Sequence, residues 1–296
     1  MRCRSALTRI DAMRTGELPE REQAEVREHL TTCRSCDDSV HDVSRLADVV
    51  KLACAVALPR TLRESIQDRC ADSLGQLDTT DGRVWVAFSE HGLRMIVRGG
   101  SEAAVREAYA NRYARPLKSS ELPEKLKKEV LAAIEGAGAS EKLVDFEEMG
   151  ELEAEVLHVL AKIPRGEVRT YAWVAQQVGR PKAVRAIGSI CAKNVVPFVI
   201  PCHRVVPTSG GVGQYAFGTD VKRELLAREG VDVVQLESLA KRGVRLIGSK
   251  TTKIVCFPTC KDARRIREEN RVPFRAADEA LLKGFRPCRR CQPFAA

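Results

Sequence analysis

The sequence contains no long hydrophobic run. Its longest apolar stretch near the amino terminus, residues 52–58, is far shorter than the roughly 20 residues that a membrane-spanning helix needs. The first residues, M-R-C-R-S, lead into a charged segment instead of the apolar core of a signal peptide. We therefore expect a cytoplasmic protein that does not contact a membrane.

Internal repeats and long low-complexity tracts are also missing, which argues against a repeat array. The 296 residues are 44% hydrophobic and 30% charged, a composition typical of globular domains. A chain of this length suits two or three compact units better than a single hydrophobic core.

Acidic residues are scarce in two places. Residues 241–296 hold 15 Lys and Arg against 5 Asp and Glu, and residues 162–204 hold eight basic residues against one acid, Glu167. The remaining segments are close to neutral, so the positive charge is clustered and does not merely solvate helices. Two basic clusters favour a polyanionic partner, above all nucleic acid.

Cysteine, by contrast, is abundant, with eleven residues. Six of them form pairs at short spacing: Cys33 and Cys36, Cys256 and Cys260, Cys288 and Cys291. In a chain without an export signal, such pairs indicate metal ligands or reactive thiols rather than disulfides. We expect Cys54, Cys70 and Cys191 to be small buried side chains.

Periodicity divides the chain into segments. Residues 1–58 have helical period on both sides of a cysteine pair. Within residues 70–147, the alternating runs R-V-W-V-A-F-S and G-L-R-M-I-V predict two strands joined across residues 90–92, and helices follow near 101–114 and 121–135. Helical period returns over 149–163.

Two short helices come next. Thr170 is a predicted cap for a helix over 171–178, and Pro181 opens a second helix over 182–193 after a Gly-Arg-Pro turn. This arrangement predicts a helix-turn-helix whose second helix points Lys182, Arg185 and Lys193 outward. A helical hairpin that touches no DNA remains the alternative.

The run V-I-P-C-H-R-V-V, residues 199–206, places a thiol, an imidazole and a guanidinium in an apolar, β-branched segment that predicts a buried strand. A cysteine thiolate is a strong nucleophile, and a neighbouring base or cation lowers the thiol pKa enough to populate it. Cys202 and His203 would point to opposite faces of a regular strand, so their cooperation requires a bend, which Pro201 favours.

The surrounding residues carry a resemblance. I-P-R-G-E-V-R-T-Y, G-R-P-K-A-V-R-A-I-G, N-V-V-P-F-V-I-P-C-H-R-V-V, S-G-G-V-G-Q-Y and L-L-A-R-E-G resemble the O6-alkylguanine-DNA alkyltransferase (methylated-DNA–protein-cysteine S-methyltransferase) family. The resemblance implies a multidomain α+β chain. An RNase H-like α/β domain at 70–147 would precede a winged helix-turn-helix-type catalytic and DNA-binding domain at 148–234, with two small zinc-binding modules on the flanks.

The resemblance also implies roles at the acceptor site. Cys202 would accept the alkyl group, His203 would act as its general base, and Glu229 would orient the imidazole. Asn194 would position backbone at the pocket. The lesion itself would donate the alkyl group, so no organic cofactor would be needed. The thioether would form irreversibly, so each molecule would react once.

Further residues would contact the substrate, double-stranded DNA with a flipped O6-alkylguanine, or with O4-alkylthymine as a second lesion. Tyr171 would rotate the nucleotide's phosphate and protonate the leaving guanine. Arg185 would fill the gap left by the base, Lys182 would contact DNA and Tyr215 would line the pocket. Lys193 and Val195 replace the glycine and proline usual in the family, which predicts an altered hinge or a narrower pocket. We expect a monomer.

The cysteine pairs near the carboxyl end have spacings suited to tetrahedral zinc. S-K-T-T-K-I-V-C-F-P-T-C and A-A-D-E-A-L-L-K-G-F-R-P-C-R-R-C-Q-P resemble the metal-binding domain of Ada proteins, over residues 245–296. By this resemblance zinc is held by Cys256, Cys260, Cys288 and Cys291, and Cys256 also accepts a methyl group from a methylphosphotriester. A purely structural zinc is the competing interpretation.

The amino-terminal module, residues 1–58, resembles the zinc finger of anti-sigma factors. His29 and Cys33 share a helix face, Cys36 follows, and Cys3 would be the fourth ligand, with His41 as a substitute. The resemblance implies a sigma factor or another regulatory protein as partner. A redox-sensing role and a purely structural role remain alternatives.

The sequence therefore predicts a single-turnover DNA repair enzyme that transfers an alkyl group to Cys202. A zinc-dependent regulator that binds DNA or a sigma factor and senses alkylation damage is the main alternative. A Cys-His hydrolase with catalytic turnover is a third.

Overall fold

The structure, a computed structural model, describes residues 3–15, 18–55, 59–79, 82–137 and 140–294. The chain divides into two compact units, residues 1–67 and 68–296. None of the helices in these described ranges is long and apolar enough to cross a membrane.

The first unit is built from helices, as the sequence predicts. The helices of this region are α1 (Cys3–Leu7), α2 (Ile10–Thr15), α3 (Glu20–Thr32), α4 (Arg34–Ala55) and α5 (Arg60–Cys70), and the boundary between the units lies within α5. Acidic residues in the first turn of α3 complement the helix dipole. The chain becomes extended at Cys33, which separates α3 from α4 and places the cysteine pair at the break.

The second unit begins with a four-stranded sheet in the order β3-β2-β1-β4. Its strands and helices are β1 (Asp72–Thr79), β2 (Gly82–Phe88), β3 (Leu93–Arg98), α6 (Glu102–Tyr113), β4 (Leu117–Ser119) and α7 (Glu124–Ile134). The two predicted strands and two predicted helices are confirmed. The strands β1 and β4, which pair in parallel, were not predicted.

Arg94 is the buried charge that ties this sheet to the segment after α7. Its side chain is almost fully buried and donates to Asp145 at 2.8 Å, with Asp72 and Glu148 also within 3.4 Å. A guanidinium in this position requires such partners, because an unpaired charge in the protein interior is strongly destabilising.

The next segment carries seven short helices and strands. They are α8 (Glu151–Ala161), β5 (Arg169–Thr170), α9 (Tyr171–Gln177), α10 (Val184–Ala192), β6 (Val205–Val206), α11 (Thr219–Arg228) and α12 (Val233–Lys241). Thr170 caps α9 as predicted, because its hydroxyl accepts from the backbone N–H of Trp173 at 3.1 Å. Side chains of this segment and of the first sheet share one hydrophobic core, which includes Val86, Leu157, Ile187 and Ile200.

The predicted buried strand before the thiol is wrong. Residues 195–200 form a buried irregular loop with a single bridge between Pro197 and Ile200. Proline cannot donate to a sheet ladder, and Phe198 has a φ of 71°, which is incompatible with a strand. Only Val205 and Val206 pair, in parallel with Arg169 and Thr170.

The last segment is a small mixed module. It contains β7 (Leu246–Ser249), β8 (Ile254–Cys256), α13 (Lys261–Arg264), β9 (Arg271–Phe274), α14 (Ala277–Leu282) and β10 (Arg286–Pro287), with sheet order β10-β8-β7-β9. Phe274 and Phe285 pack 4.8 Å apart over Gly248, where a Cβ atom would approach their rings to 2.6 Å. The core of the module consists largely of these rings and four cysteines.

Candidate active site and metal centres

Cys202 opens a 3-10 turn, Cys202–Arg204, at the end of the buried loop. The residue is 4% exposed. Pro201 has a ψ of 62°, which turns the chain sharply just before the thiol. The predicted bend at Pro201 is therefore confirmed, and it releases Cys202 and His203 from the opposite orientations of a regular strand.

Asn194 holds the loop that leads to the thiol. Its Nδ2 atom donates to the carbonyl of Ile200 at 3.0 Å and to the Cys202 sulfur at 3.2 Å. Its Oδ1 atom accepts from the backbone N–H of Val196 at 3.1 Å. The side-chain amide of Asn194 thus hydrogen-bonds to the backbone near both ends of the loop and also contacts the thiol.

His203 and Glu229 form a buried hydrogen-bonded pair. The distance from His203 Nε2 to Glu229 Oε1 is 2.8 Å. The same carboxylate accepts two further donors from Arg204, at 2.9 Å from Nε and 2.7 Å from Nη2. The other nitrogen of the imidazole, Nδ1, is buried and has no hydrogen-bond partner within the described part of the chain.

The pKa values of this pair follow from burial and from these contacts. Burial alone would raise the pKa of Glu229, but hydrogen bonds from His203 and Arg204 outweigh it and bring the pKa to about 2. For His203, burial lowers the pKa, and the carboxylate compensates only in part. The imidazole is therefore neutral in the resting protein and can accept a proton.

Burial raises the pKa of the Cys202 thiol, although Asn194, Tyr215 and the charge of Lys222 act in the opposite direction. The resting sulfur is therefore a protonated thiol, and the expected resting thiolate is not what this environment favours. Tyr215 lines the same space, with its ring 6.5 Å from that of His203 in an edge-on arrangement.

The predicted DNA-contacting residues lie on and around the two short helices. Tyr171 begins α9 and is half-buried near Cys202, and burial raises its pKa to about 12. Arg185 is exposed on α10. Lys182, predicted to open the second helix, instead lies in the turn before it, because the turn that includes Pro181 delays the start of α10 to Val184.

Two residues of the site were not predicted. Arg204 is buried and joins Glu229 to the carbonyl of Ile163, to which it donates at 2.6 Å. Lys222 is fully buried, donates to the carbonyl of Val205 at 2.6 Å, and burial lowers its pKa to about 8. The available signal for Lys222 was its spacing of three and four residues from Leu225 and Leu226, which places it on the buried face of α11.

Four cysteine sulfurs converge in the carboxyl-terminal module. The sulfurs of Cys256, Cys260, Cys288 and Cys291 all lie within 4.8 Å of one another, and all four residues are buried. Asp262 accepts from the Cys288 thiol at 3.5 Å and from Arg290 at 3.3 Å. Four sulfur donors at these distances fit a tetrahedral zinc ion, with the Asp262 carboxylate next to them.

A second cluster lies in the first unit and is formed by Cys3, His29, Cys33 and Cys36, whose ligand atoms also lie within 4.8 Å of one another. The cluster contains Cys3 and not His41. Nε2 of His29 is buried without a hydrogen-bond partner among the described residues, as expected for a nitrogen that binds a metal. Of the other cysteines, Cys191 is buried as predicted, and the side chain of Cys54 lies outside the described residues. The prediction that Cys70 is buried is wrong, because the residue ends α5 and is exposed there.

Comparison with protein families assigns three parts of the chain. Residues 151–231 match the profile of the 6-O-methylguanine DNA methyltransferase DNA-binding domain, residues 233–293 match the metal-binding domain of Ada, and residues 3–36 match a zinc-finger family. These matches confirm the resemblances to the alkyltransferase family and to the Ada metal-binding domain, and they confirm a zinc-finger module at the amino terminus.

Individual relatives cover parts of the same region. The regulatory protein ada of Salmonella typhimurium is 34% identical over 154 residues, which are 51% of this chain and 44% of that protein. Human methylated-DNA–protein-cysteine methyltransferase is 51% identical over 77 residues, 26% of this chain and 37% of that protein. The chain thus spans less than half the length of these two relatives.

Part of this chain is also similar to a solved structure. The O6-methylguanine-DNA methyltransferase of Pyrococcus kodakaraensis is 25% identical with a TM-score of 0.43, and the match covers 54% of this chain and 99% of that chain.

We predict that Glu229→Gln destabilises the protein by about 3 kcal/mol at neutral pH, because the substitution leaves the buried Arg204 guanidinium without its counter-ion. The matched control is Glu224→Gln on the same helix, whose carboxylate is 61% exposed and pairs with Arg228. Glu224→Gln should lower the free energy of unfolding by less than about 1 kcal/mol. Urea unfolding at pH 7 measures both, and equal effects would contradict the assignment.

We predict two zinc ions per chain, one in each cluster. Cys260→Ser and Cys33→Ser should each reduce the zinc content by one ion, because a single lost thiolate opens a four-ligand site. Cys70→Ser, which changes an exposed cysteine outside both clusters, is the control and should leave the content unchanged. Elemental analysis of the purified proteins measures the zinc-to-protein ratio. A zinc content in Cys33→Ser equal to that of the wild type would refute Cys33 as a metal ligand.

Proposed function

We propose that this protein repairs DNA by transferring the alkyl group of O6-alkylguanine directly and irreversibly to Cys202. The observation that carries the proposal is the buried arrangement of Cys202, His203, Glu229 and Asn194 inside a segment that matches an alkyltransferase DNA-binding domain. O4-alkylthymine is the second lesion that this chemistry would accept. The proposed place of action is the bacterial cytoplasm, where the DNA is.

The chemistry follows from the protonation states. His203 is neutral and has an unpartnered Nδ1 atom, so it can take the thiol proton, through a water molecule, while Glu229 stabilises the imidazolium that forms. The Cys202 sulfur then attacks the alkyl carbon, the C–O bond breaks, and the electron pair leaves with the guanine. Tyr171, which retains its proton up to high pH, is a suitable acid for that leaving group. The thioether has no route back to a thiol, so each molecule reacts once.

The DNA contacts are proposals of the same kind. Tyr171 would rotate the phosphate, Arg185 on α10 would occupy the space left by the flipped base, Lys182 would contact the backbone from the turn, and Tyr215 would line the pocket. Exposure of Arg185 and Lys182 beside the predicted helix-turn-helix supports this arrangement. The proposed complex contains one protein molecule and double-stranded DNA.

The finer fold and domain assignments also remain proposals. The sheet order β3-β2-β1-β4, with α6 connecting the sheet to the parallel strand β4, supports an RNase H-like domain at 70–147. The helices α9 and α10 with the β5–β6 pair support a winged helix-turn-helix-type domain at 148–234. Zinc modules at 1–58 and 245–296 complete the proposed organisation.

A second acceptor is proposed at Cys256. A cavity of about 410 Å³ adjoins Cys256 and is bordered by Arg265 and Arg267, which suit a phosphate backbone. With zinc held by the four cysteines, the Cys256 sulfur would be a metal-coordinated thiolate that remains nucleophilic. For the amino-terminal module we propose contact with a sigma factor or another regulatory protein, supported by the match to a zinc-finger family.

Intact mass measurement tests the proposal. The zinc-loaded protein, mixed with duplex DNA carrying O6-methylguanine, should gain one methyl group, mapped by peptide analysis to Cys202, and the lesion should disappear in equal amount. Cys202→Ser should leave the lesion intact, whereas Cys70→Ser should behave like the wild type. Retained lesion with unchanged protein mass would instead favour the damage-sensing regulator, and turnover without modification would favour a hydrolase. Duplex carrying a methylphosphotriester tests Cys256 in the same way.

The pH dependence of the repair rate tests the role of His203. Its pKa lies below the ordinary 6.5, so the neutral base form persists as the pH falls through that value, and the rate should stay nearly flat from pH 8 to pH 6.5 and decline only below it. If a free Cys202 thiolate were the nucleophile, its raised pKa would make the rate increase roughly tenfold per pH unit over this range. Second-order rate constants distinguish the two profiles.

A further inference from the structure

The module with four cysteines shares a buried charged contact with the segment that leads into α9. Arg169 is 2% exposed, and its guanidinium lies between two aromatic rings, 5.5 Å from that of Trp173 and 5.4 Å from that of Phe257. Glu167, equally buried, accepts from Arg169 at 2.6 Å. A buried ion pair between two rings requires close packing on both sides, unlike the surface of a freely tethered module.

Three hydrogen bonds cross the same contact. The backbone N–H of Val168 donates to the hydroxyl of Thr259 at 2.9 Å, and the backbone N–H of Lys261 donates to Glu167 at 2.9 Å. The indole N–H of Trp173 donates to the carbonyl of Gln292 at 3.0 Å. Donors and acceptors therefore come from both partners, which makes the contact directional.

The module residues named in this contact are all sequence neighbours of a cysteine in the four-sulfur cluster. Phe257 follows Cys256, Thr259 and Lys261 flank Cys260, and Gln292 follows Cys291. Their positions are thus set by how the four sulfurs are held together.

The other side of the contact adjoins the acceptor site. Arg169 pairs in parallel with Val205, which directly follows the turn Cys202–Arg204. Tyr171 starts α9 two residues after Arg169. The turn that carries Cys202 is therefore joined to the module contact through the β5–β6 pair and the start of α9.

We infer that metal binding at Cys256, Cys260, Cys288 and Cys291 braces the alkyl-acceptor site through Arg169 and Trp173. Loss of the metal frees four mutually crowded sulfurs in a module whose core is small, and the neighbouring residues then lose their fixed positions. Because linkage is reciprocal, the contact in turn strengthens metal binding. The claim that the metal orders the contact at Arg169 and Trp173 does not depend on the proposed function. The effect on alkyl transfer at Cys202 does rest on it.

Tryptophan fluorescence tests the brace without any alkylated DNA. The chain has two tryptophans, so Trp85→Phe leaves Trp173 as the only emitter. Removing zinc with a chelator should shift the Trp173 emission to longer wavelength and increase its quenching by acrylamide, and adding zinc should reverse both. The reverse variant, Trp173→Phe, retains Trp85 in β2 and should show no response. An unchanged Trp173 emission, with thiol counting proving that the metal is gone, would overturn the inference.

If the zinc-free chain unfolds as a whole, the fluorescence change would not report on this contact alone. The inference is then tested by the zinc affinity of a folded variant. Thr259→Val removes the acceptor of the buried Val168 N–H without touching a metal ligand, and it should weaken zinc binding about tenfold in competition with a chelator. Thr219→Val, an exposed position at the start of α11, is the control. Equal affinities of the two variants would rule out the brace. A failed repair assay alters neither readout, so it would count against the proposed function alone.

Discussion

The acceptor site depends on one buried carboxylate, that of Glu229. A carboxylate removed from water is costly unless charged donors surround it, and here the donors come from two consecutive residues, His203 and Arg204. Because both immediately follow Cys202, satisfying the carboxylate fixes the turn that carries the sulfur. The bond from Arg204 to the carbonyl of Ile163 adds the end of α8 to the same assembly.

The same burial determines where the protons reside. It raises the pKa of the Cys202 thiol and lowers that of His203, so both groups are neutral before substrate arrives. A neutral pair is less costly to bury than a thiolate and an imidazolium. In the proposed reaction the Cys202 thiolate and the His203 imidazolium form only during transfer, and the Glu229 carboxylate stabilises the imidazolium at that moment. At other times the sulfur is a protonated thiol and reacts slowly with other electrophiles.

Local sequence signals predicted much of this structure. The cap at Thr170, the alternation in β2 and β3 and the cysteine spacings depend on near neighbours, and the structure agrees with each. The strand β1, D-S-L-G-Q-L-D-T, was missed because polar residues interrupt its pattern, although it lies in the middle of its sheet. The apolar loop before Pro201 was wrongly assigned to a strand, because burial in an irregular loop leaves the same hydrophobic signature as a buried strand.

Contacts between distant segments left no such signal. Trp173 and Gln292 are 119 residues apart, and nothing near either residue indicates the other. Yet the arginine of β5 and the tryptophan of α9 are poorly explained by local structure alone, since each could be replaced there by a smaller apolar residue. The four-cysteine module explains their presence, because it packs against both residues. The rings of Trp173 and Phe257 lie on the Arg169 guanidinium, and Glu167 pairs with its charge. The backbone N–H of Lys261 donates a further hydrogen bond to the Glu167 carboxylate. A small module with few apolar residues of its own gains part of its stability from that surface, and the acceptor segment gains rigidity in return.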